Sequence, residues 1–365
     1  MTQIRWNEPR FGKEEVKEIR KVIEANYVNE GPKTKELEEE FRKYLGVEYI
    51  VTTTNATAAL FLAIKAEAKL KGFNNNFEVI VPDMTMVATA TAVNWAGGNP
   101  ILVGVKKEDL TIDVSKIEER INEKTIAIIP VHVLGRAADM PKILEIAEKH
   151  NLAVIEDAAG ALGSKLNGKF LGTFGKAGCF SLQSNKIITS GQGGVIALND
   201  DKLYELIRRY RDFGRVSSKE FLHEIAGYNL KFNDLSAALA IAQFKRLEDR
   251  KNLFLSQFNQ YNETLSGIKQ VKFFSLKEGE IPLWVDALVE KRDELSNFLA
   301  SNQIFCRNCW PALHRNPPYK LEGTNSDFPN SSFASDNVLW LPNGPAVNHE
   351  DIALICSKIK EFYGI

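Results

Sequence analysis

The sequence predicts an α/β protein with a large domain built on a mostly parallel sheet and a smaller C-terminal α+β domain. The chain has 365 residues, which is too long for one small domain. Strand-like and helical segments alternate up to Asp157, and a second, shorter alternation follows residue 266. Such alternation favours a parallel sheet covered by helices on both faces. We expect a large domain over residues 1–233, one long linking helix over 234–265 and a small domain over 266–365.

The first half of the chain supplies the helices and strands of the large domain. Apolar residues recur at helical spacing over residues 13–25, 33–44, 58–71, 87–95, 114–121 and 140–149. Apolar runs predict strands over residues 48–52, 78–81, 100–105, 125–131 and 153–156. Asp157 directly follows the last of these strands. It therefore falls at the carboxyl edge of the sheet, where open α/β sheets bind ligands.

After Asp157 the pattern becomes shorter and richer in glycine. We expect strand-like pieces over residues 161–166, 178–182 and 194–198, and then a helix over 202–211. Residues 234–261 have the periodicity of a single helix. The small domain should contain strands over 281–289 and 304–307 and helices over 292–301 and 350–363. Residues 310–342 are rich in Pro, Asn and Ser, which predicts a loop over a site, with a loose connector as the alternative.

Composition excludes several classes of protein. The net charge is −1, with 44% hydrophobic and 25% charged residues, so we expect neither a nucleic-acid partner nor a membrane partner. The chain shows no secretory segment, and we expect a cytoplasmic protein with reduced thiols. Cys306 and Cys309 form a single C-x-x-C pair without a second pair. We therefore favour packing cysteines over a redox couple or a zinc site, and we expect no metal.

Lys186 is the most informative residue. It lies 29 positions after Asp157, among apolar, hydroxyl and glycine residues. Burial there would lower the pKa of the amine, as a lysine that forms a Schiff base requires. A carboxylate at a strand end can hold a pyridine nitrogen protonated, which makes the ring an electron sink. The pairing predicts pyridoxal 5′-phosphate as cofactor and Lys186 as the catalytic residue. The alternatives are a solvated lysine and an aspartate that caps a helix or turn.

Other side chains complete the predicted cofactor site. Asn55 opens a helix, and a helix N-terminus with its N–H groups and hydroxyls suits a phosphate, although plain helix capping is the alternative. The Ser181 hydroxyl can add a second contact. The Met86 thioether is placed to cover the ring, with core packing as its alternative. His132 and His314 are candidates near the substrate.

With these residues assembled, the chain closely resembles the DegT/DnrJ/EryC1/StrS family of sugar aminotransferases. The resemblance implies the aspartate-aminotransferase fold (fold type I) and covers nearly the whole length. The matching segments are residues 27–32, 81–85, 131–135, 139–140, 155–159, 172–175, 180–186, 191–194, 227–229, 311–319 and 341–342.

The resemblance implies roles for individual residues. Lys186 would bind the cofactor covalently, and Asp157 would hold its pyridine nitrogen. The remaining implied contacts are Ala56, Thr57 and Ser181 to the phosphate, Met86 to the ring, Asn229 to the phosphate of the neighbouring subunit, and His314 to the sugar or the cofactor. A site shared in this way implies a homodimer. Ala56, Met86 and Gly160 depart from the family pattern, where Gly, an aromatic residue, and Gln, Glu or His respectively are usual.

The reaction implied by the resemblance is a transamination in two halves. L-glutamate would give its amino group to the cofactor, and a nucleotide-linked 4-keto-6-deoxyhexose would receive it at C4, as in perosamine synthases. The product would be an amino-deoxy sugar for glycans such as the O-antigen of lipopolysaccharide. C3 amination of a keto-sugar and amination of a keto-inositol are alternatives within the family. GDP, UDP and dTDP remain open as the nucleotide.

Two readings outside this chemistry also remain. A lyase or desulfurase of the same fold would need a nucleophilic cysteine, for which Cys306 and Cys309 are the candidates. A non-catalytic regulator would bind the cofactor or the sugar nucleotide without turnover. The family's dehydratase branch has histidine at the Schiff-base position, and Lys186 argues against it.

Overall fold

The computed structural model describes residues 3–216 and 222–365. The large sheet in this part of the chain has seven strands. They are β1 (Tyr49–Thr53), β2 (Glu78–Pro82), β3 (Asn99–Val103), β4 (Thr125–Ile128), β5 (Ala153–Asp157), β8 (Ala177–Ser181) and β9 (Gly194–Leu198), while β6 (Lys165–Leu166) and β7 (Lys169–Phe170) form a separate hairpin.

The strand order in the large sheet is β1-β9-β8-β5-β4-β2-β3. Strands β3, β2, β4, β5 and β8 pair in parallel, whereas β9 pairs antiparallel with both β8 and β1. The carboxyl ends of the parallel strands therefore meet at one edge. Asp157 ends β5 and Ser181 ends β8, so the register brings both residues to that edge.

The helices described up to Arg211 are α1 (Lys13–Glu24), α2 (Pro32–Leu45), α3 (Ala56–Leu70), α4 (Ala88–Ala96), α5 (Met140–Lys149) and α6 (Asp201–Arg211). Most residues of α3 are buried because the helix is apolar on nearly all sides. It packs against the sheet, α4 and α6. Helix α3 starts directly after β1, and this places its N-terminus at the same sheet edge as Asp157.

The second sheet has four antiparallel strands in the order β10-β11-β13-β12. Their bounds are β10 (Val271–Phe273), β11 (Val285–Val289), β12 (Arg307–Asn308) and β13 (Val338–Leu341), with helices α9 (Arg292–Ser301), α10 (Pro329–Asn337) and α11 (His349–Tyr363). The N-terminus joins this unit. Ile4 is buried and makes a parallel bridge to Ile304, and the ring of Trp6 stacks on that of Trp340.

The predicted single helix over residues 234–261 is wrong. The structure has two helices, α7 (Asp234–Phe244) and α8 (Leu247–Thr264), with a bend at Lys245 and Arg246. The bend lies where buried Glu15 of α1 accepts a hydrogen bond from Gln243 (2.6 Å) and pairs with Arg246. Contacts to another helix, which periodicity does not report, therefore accompany the break.

The prediction of a loop over residues 310–342 is also wrong for most of its length. Two short 3₁₀ helices (Leu313–Arg315 and Pro317–Glu322), α10 and β13 occupy it, and β13 lies in the interior of the second sheet. Residues 114–121 form two 3₁₀ turns, Val114–Lys116 and Glu118–Arg120, instead of the predicted helix. A further 3₁₀ turn covers Val133–Gly135. In the described part of the chain, no helix combines the length and apolar character needed to cross a membrane.

Candidate active site

A cavity of about 400 Å³ lies at the carboxyl edge of the large sheet. Its walls come from the start of α3, the ends of β5 and β8, the segment after β8, and the second sheet. The cavity brings together most of the residues predicted from the sequence: Ala56, Thr57, Met86, Asp157, Ser181 and Lys186. His132 and Gly160 also line it. Distant parts of the sequence therefore meet at one site.

Asp157 presents a buried carboxylate to this cavity. The Thr89 hydroxyl donates to its Oδ2 (2.8 Å), and the backbone N–H of Ala159 donates to its Oδ1 (3.1 Å). Burial raises the pKa of Asp157, while these hydrogen bonds and the charge of Lys186 act in the opposite direction. A cationic ring nitrogen bound here would relieve the cost of burying the carboxylate. The site therefore suits a protonated pyridine.

Glu156, on the opposite side of β5, anchors the strand end that carries Asp157. Its Oε1 accepts from the N–H groups of Phe174 (2.6 Å) and Gly175 (2.7 Å), and its Oε2 accepts from that of Gly172 (2.7 Å). His132 Nε2 lies 2.8 Å from Oε2. Because His132 Nδ1 faces the N–H of Ala138 (3.3 Å), we assign the proton to Nε2. The side chains of Glu156 and His132 are inaccessible to water, and their hydrogen bonds hold the strand.

Lys186 lies in the turn that follows β8. Its side chain is partly accessible through the cavity, and its Nζ lies 5.1 Å from the ring centroid of Trp284. The Trp284 indole is itself held by a hydrogen bond to the carbonyl of Asn185 (3.1 Å). Desolvation lowers the pKa of Lys186 to about 8, although the charge of Asp157 opposes this shift. A substantial fraction of the amine is therefore neutral near physiological pH, as a nucleophile and base requires.

The start of α3 lines one end of the cavity. Asn55 caps the helix by accepting from the N–H of Ala58 (2.9 Å). The N–H groups of the first turn, including those of Ala56 and Thr57, have no carbonyl within the helix, and the helix dipole adds positive potential there. Gly194 of β9 approaches so closely that a Cβ would collide with the backbone of Asn55. The capping alternative for Asn55 is thus observed, and it leaves the backbone N–H groups of Ala56 and Thr57 available.

Two predicted residues lie outside this cavity. His314 is buried, with Nδ1 2.8 Å from Asp83 and Nε2 2.9 Å from Asn325. Its predicted contact with the sugar or the cofactor has no support from this arrangement. Asn229 is exposed and pairs with Asp212 in an isolated bridge. It does not line the cavity of its own chain, and its contact with a neighbouring subunit stays a prediction.

Sequence reasoning missed several residues of the site. Thr89 contacts Asp157 from helix α4, and no sequence signal connects the two. Glu156 carried a usable signal, because an acidic residue inside a buried apolar strand requires partners. Four further missed residues are aromatic or basic and come from the second sheet and its flanks: Trp284, Arg307, Trp310 and Trp340.

The cysteines stand apart from the site. Cys306 and Cys309 do not line the cavity. Burial raises the pKa of Cys306 to about 12 and that of Cys309 further still, so neither is a reactive thiolate at neutral pH. Within residues 3–216 and 222–365, no group of three or more His, Cys, Asp or Glu side chains could hold a metal ion.

The model of the DegT/DnrJ/EryC1/StrS aminotransferase family matches residues 9–360. GDP-perosamine synthase of Escherichia coli O157:H7 is 32% identical over 376 residues, which cover 100% of this chain and 99% of that protein.

Solved structures show the same architecture. DesV of S. venezuelae, solved in complex with a ketimine intermediate, is 27% identical with a TM-score of 0.90, covering 96% of this chain and 94% of that one. PseC of Helicobacter pylori, an aminotransferase involved in the biosynthesis of pseudoaminic acid, is 23% identical with a TM-score of 0.94 and full coverage of both chains. These likenesses confirm the predicted fold class.

Proposed function

Because the chain belongs to the DegT/DnrJ/EryC1/StrS aminotransferase family and is a pyridoxal-phosphate-dependent transaminase, we propose that it moves an amino group from L-glutamate to C4 of a nucleotide-linked 4-keto-6-deoxyhexose. The likeness to GDP-perosamine synthase supports this choice of acceptor. The observation that carries the proposal is that Lys186, Asp157 and the start of α3 line one cavity.

The residues present fit the cofactor. Ala56, Thr57 and Ser181 would hold the phosphate, Asp157 would hold the pyridine nitrogen, and Met86 would cover the ring. When bound, the cofactor supplies an electron sink for carbanion chemistry. Lys186, with its pKa lowered to about 8 by desolvation, would act first as the covalent anchor. As a free amine it would then move the proton to and from the α-carbon of the donor and the corresponding carbon of the acceptor.

We also propose that the working unit is a homodimer with shared active sites. Met86 and Trp95 line the cavity, yet 48% and 60% of their surfaces are exposed in a single chain. Exposed apolar side chains beside a cavity are expected where a second subunit completes the site. Asn229 is exposed and accessible for the predicted contact with a partner's phosphate group.

The first experiment follows the visible absorbance of the lysine-bound cofactor. L-glutamate should abolish this band, and one sugar from a panel of GDP-, UDP- and dTDP-linked 4-keto-6-deoxyhexoses should restore it. Restoration by a 3-keto-sugar or a keto-inositol alone would replace the proposed acceptor. A band that never responds to any amino donor would favour the non-catalytic regulator. Thiol-blocking reagents provide a control, because a desulfurase would lose activity with a modified cysteine.

The shared site can be tested by subunit complementation. Lys186→Ala disables the site to which it belongs, whereas Asn229→Ala should disable the site of the partner. Each variant alone should be inactive or severely impaired. Co-refolded mixtures should regain activity, because a mixed dimer contains one site with both native residues. Mixtures with no more activity than the separate variants would contradict the shared site without affecting the proposed reaction.

A further inference from the structure

Arg307 stands at the wall of the cavity without a structural ion pair. It lies on β12, is exposed, and lines the cavity. Its guanidinium lies 5.2 Å from the ring centroid of Trp6. Across residues 3–216 and 222–365, no carboxylate forms an ion pair with Arg307, and the other lysine or arginine that lines the cavity is Lys186. Since Lys186 serves the cofactor, Arg307 is the available guanidinium for an anionic ligand.

The second sheet explains why Arg307 is not neutralised. Asp286 of β11, Trp340 of β13 and Arg307 of β12 lie directly across from one another in register. Directly paired residues share a sheet face, so the row places a carboxylate two strands from Arg307. That carboxylate is already bound by Arg136, whose two terminal nitrogens each lie 2.8 Å from an Asp286 oxygen.

The Arg136–Asp286 pair is also inaccessible to a ligand. Arg136 is 2% exposed and Asp286 is 1% exposed. The Arg136 Nε donates to the carbonyl of Asp109 (3.0 Å), so this guanidinium is held on two sides. The buried pair thus provides internal structure, whereas Arg307 keeps its charge at the accessible end of the same row.

Trp6 supports the Arg307 guanidinium, whose central carbon lies 5.2 Å from the ring centroid. A cation–π contact of this kind stabilises the charge, and the N–H groups that do not face the ring stay available. Those N–H groups form a fork that matches the two oxygens of a carboxylate or a phosphate. Arg307 therefore has the charge, the accessibility and the donor geometry of an anion-binding residue.

We propose that Arg307 binds an oxyanion group of a substrate at the second-sheet wall of the cavity. This inference rests on the proposed function, because the two substrates named there supply the oxyanion. One is the carboxylate of the amino donor, and the other is the diphosphate of the sugar nucleotide. Trp6 is the positioning residue that supports the guanidinium. The N-terminal segment thereby contributes to substrate recognition indirectly, because the Trp6 ring supports Arg307 and does not itself contact the substrate.

The test compares wild type with Arg307→Gln and Arg307→Lys. One arm measures by calorimetry the binding of GDP, UDP and dTDP to the cofactor-loaded protein. The other measures the dependence of the donor half-reaction on L-glutamate concentration. Loss of a charge-assisted pair should weaken the affected ligand roughly 10- to 100-fold in Arg307→Gln. The affinity of Arg307→Lys for the same ligand should lie between those of wild type and Arg307→Gln, because lysine keeps the charge but lacks the forked pair of N–H donors.

The controls separate substrate binding from general effects. Arg208 is an exposed arginine whose guanidinium lies 5.7 Å from the ring centroid of Tyr204, away from the cavity, so Arg208→Gln should change neither arm. Trp6→Phe should retain most of the binding, and Trp6→Ala should lose part of it. Circular dichroism of each variant would show whether the fold is intact.

The two arms also identify the source of the oxyanion. Weaker binding of nucleotides alone assigns Arg307 to the diphosphate, and a weaker response to L-glutamate alone assigns it to the carboxylate. Unchanged values in both arms for a folded Arg307→Gln would overturn the inference, as would a wild-type protein that binds none of these anions. A wild type that binds nucleotides but shows no half-reaction would instead contradict the proposed function.

Discussion

Replacement of Glu156 by Gln tests how the strand beneath the site is held. The two carboxylate oxygens of Glu156 accept four hydrogen bonds, two each. A glutamine amide has one accepting oxygen, and its NH₂ group can only donate. In either orientation, two of the four buried or partly buried donors therefore lose their acceptor. A change of His132 tautomer does not solve this, because an Nδ1 proton would then face the N–H of Ala138.

The expected magnitude follows from that count. A buried donor without an acceptor costs about 1–3 kcal/mol, so two of them reduce the free energy of unfolding by about 2–6 kcal/mol. For a chain of 365 residues, this corresponds to a lower melting temperature by roughly 3–8 °C. Differential scanning calorimetry of the cofactor-free protein, at one scan rate and one protein concentration, measures the shift.

Glu118 provides a matched control for this experiment. Like Glu156, this carboxylate accepts hydrogen bonds from a histidine and a second donor. Its Oε1 accepts from Lys149 (2.6 Å) and His150 (2.8 Å), but the Glu118 side chain is 46% exposed. Water can replace those partners, so Glu118→Gln should leave the melting temperature unchanged. The expected fall in melting temperature for Glu156→Gln is at least roughly 3 °C. A fall of less than about 1 °C would refute the argument that this carboxylate anchors the strand.

Three further predictions concern the cofactor site directly. Lys186→Ala should abolish both turnover and the visible band of the lysine-bound cofactor, and turnover in this variant without an added amine would contradict the mechanism. Thr89→Val removes the hydroxyl that donates to Asp157, and equilibrium dialysis should show about tenfold weaker cofactor binding, whereas Thr89→Ser should retain wild-type binding. Desolvation lowers the pKa of Lys186 from 10.5 to about 8, so stopped-flow absorbance should show cofactor capture accelerating up to about pH 8 and then levelling. Between pH 8 and 10.5 Lys186 carries a proton in the unfolded chain but not in the folded cofactor-free protein. The contribution of Lys186 to the free energy of unfolding therefore increases with pH in that window. A capture rate still rising steeply at pH 10 would show that the pKa is not lowered.

The sequence predicted the strands of the large sheet and the placement of Asp157 and the start of α3 at one sheet edge, because both depend on local patterns. An apolar strand followed by Asp157 defines a sheet edge, and β5 ends at that residue. Asn55 before an apolar helical run defines a helix start, and α3 begins at Ala56. These signals need only neighbouring residues. They were sufficient to predict that Asp157, Thr57 and Lys186 lie near one another, and all three line one cavity.

The missed features depend on contacts between distant segments. The bend between α7 and α8 accompanies contacts to Glu15 of α1, about 230 positions away. Thr89 reaches Asp157 across 68 positions, and nothing in either local sequence announces the contact. Residues 310–342 read as a loop because Pro, Asn and Ser dominate them, yet β13 within them pairs with strands on both sides. Tertiary pairing outweighed local composition there.

The placement of the N-terminus has a consequence for biosynthesis. The N–H of Ile4 donates to the carbonyl of Gln303 and the N–H of Phe305 donates to that of Ile4, both at 2.9 Å. The residues that pair with Ile4 lie about 300 positions later in the sequence. At a synthesis rate of 5–20 residues per second, they are made roughly 15–60 s after Ile4. During that interval the ribosome presents an unpaired apolar segment, which a chaperone can bind. Ile4 and Trp6 are thus synthesised long before the residues on which they pack.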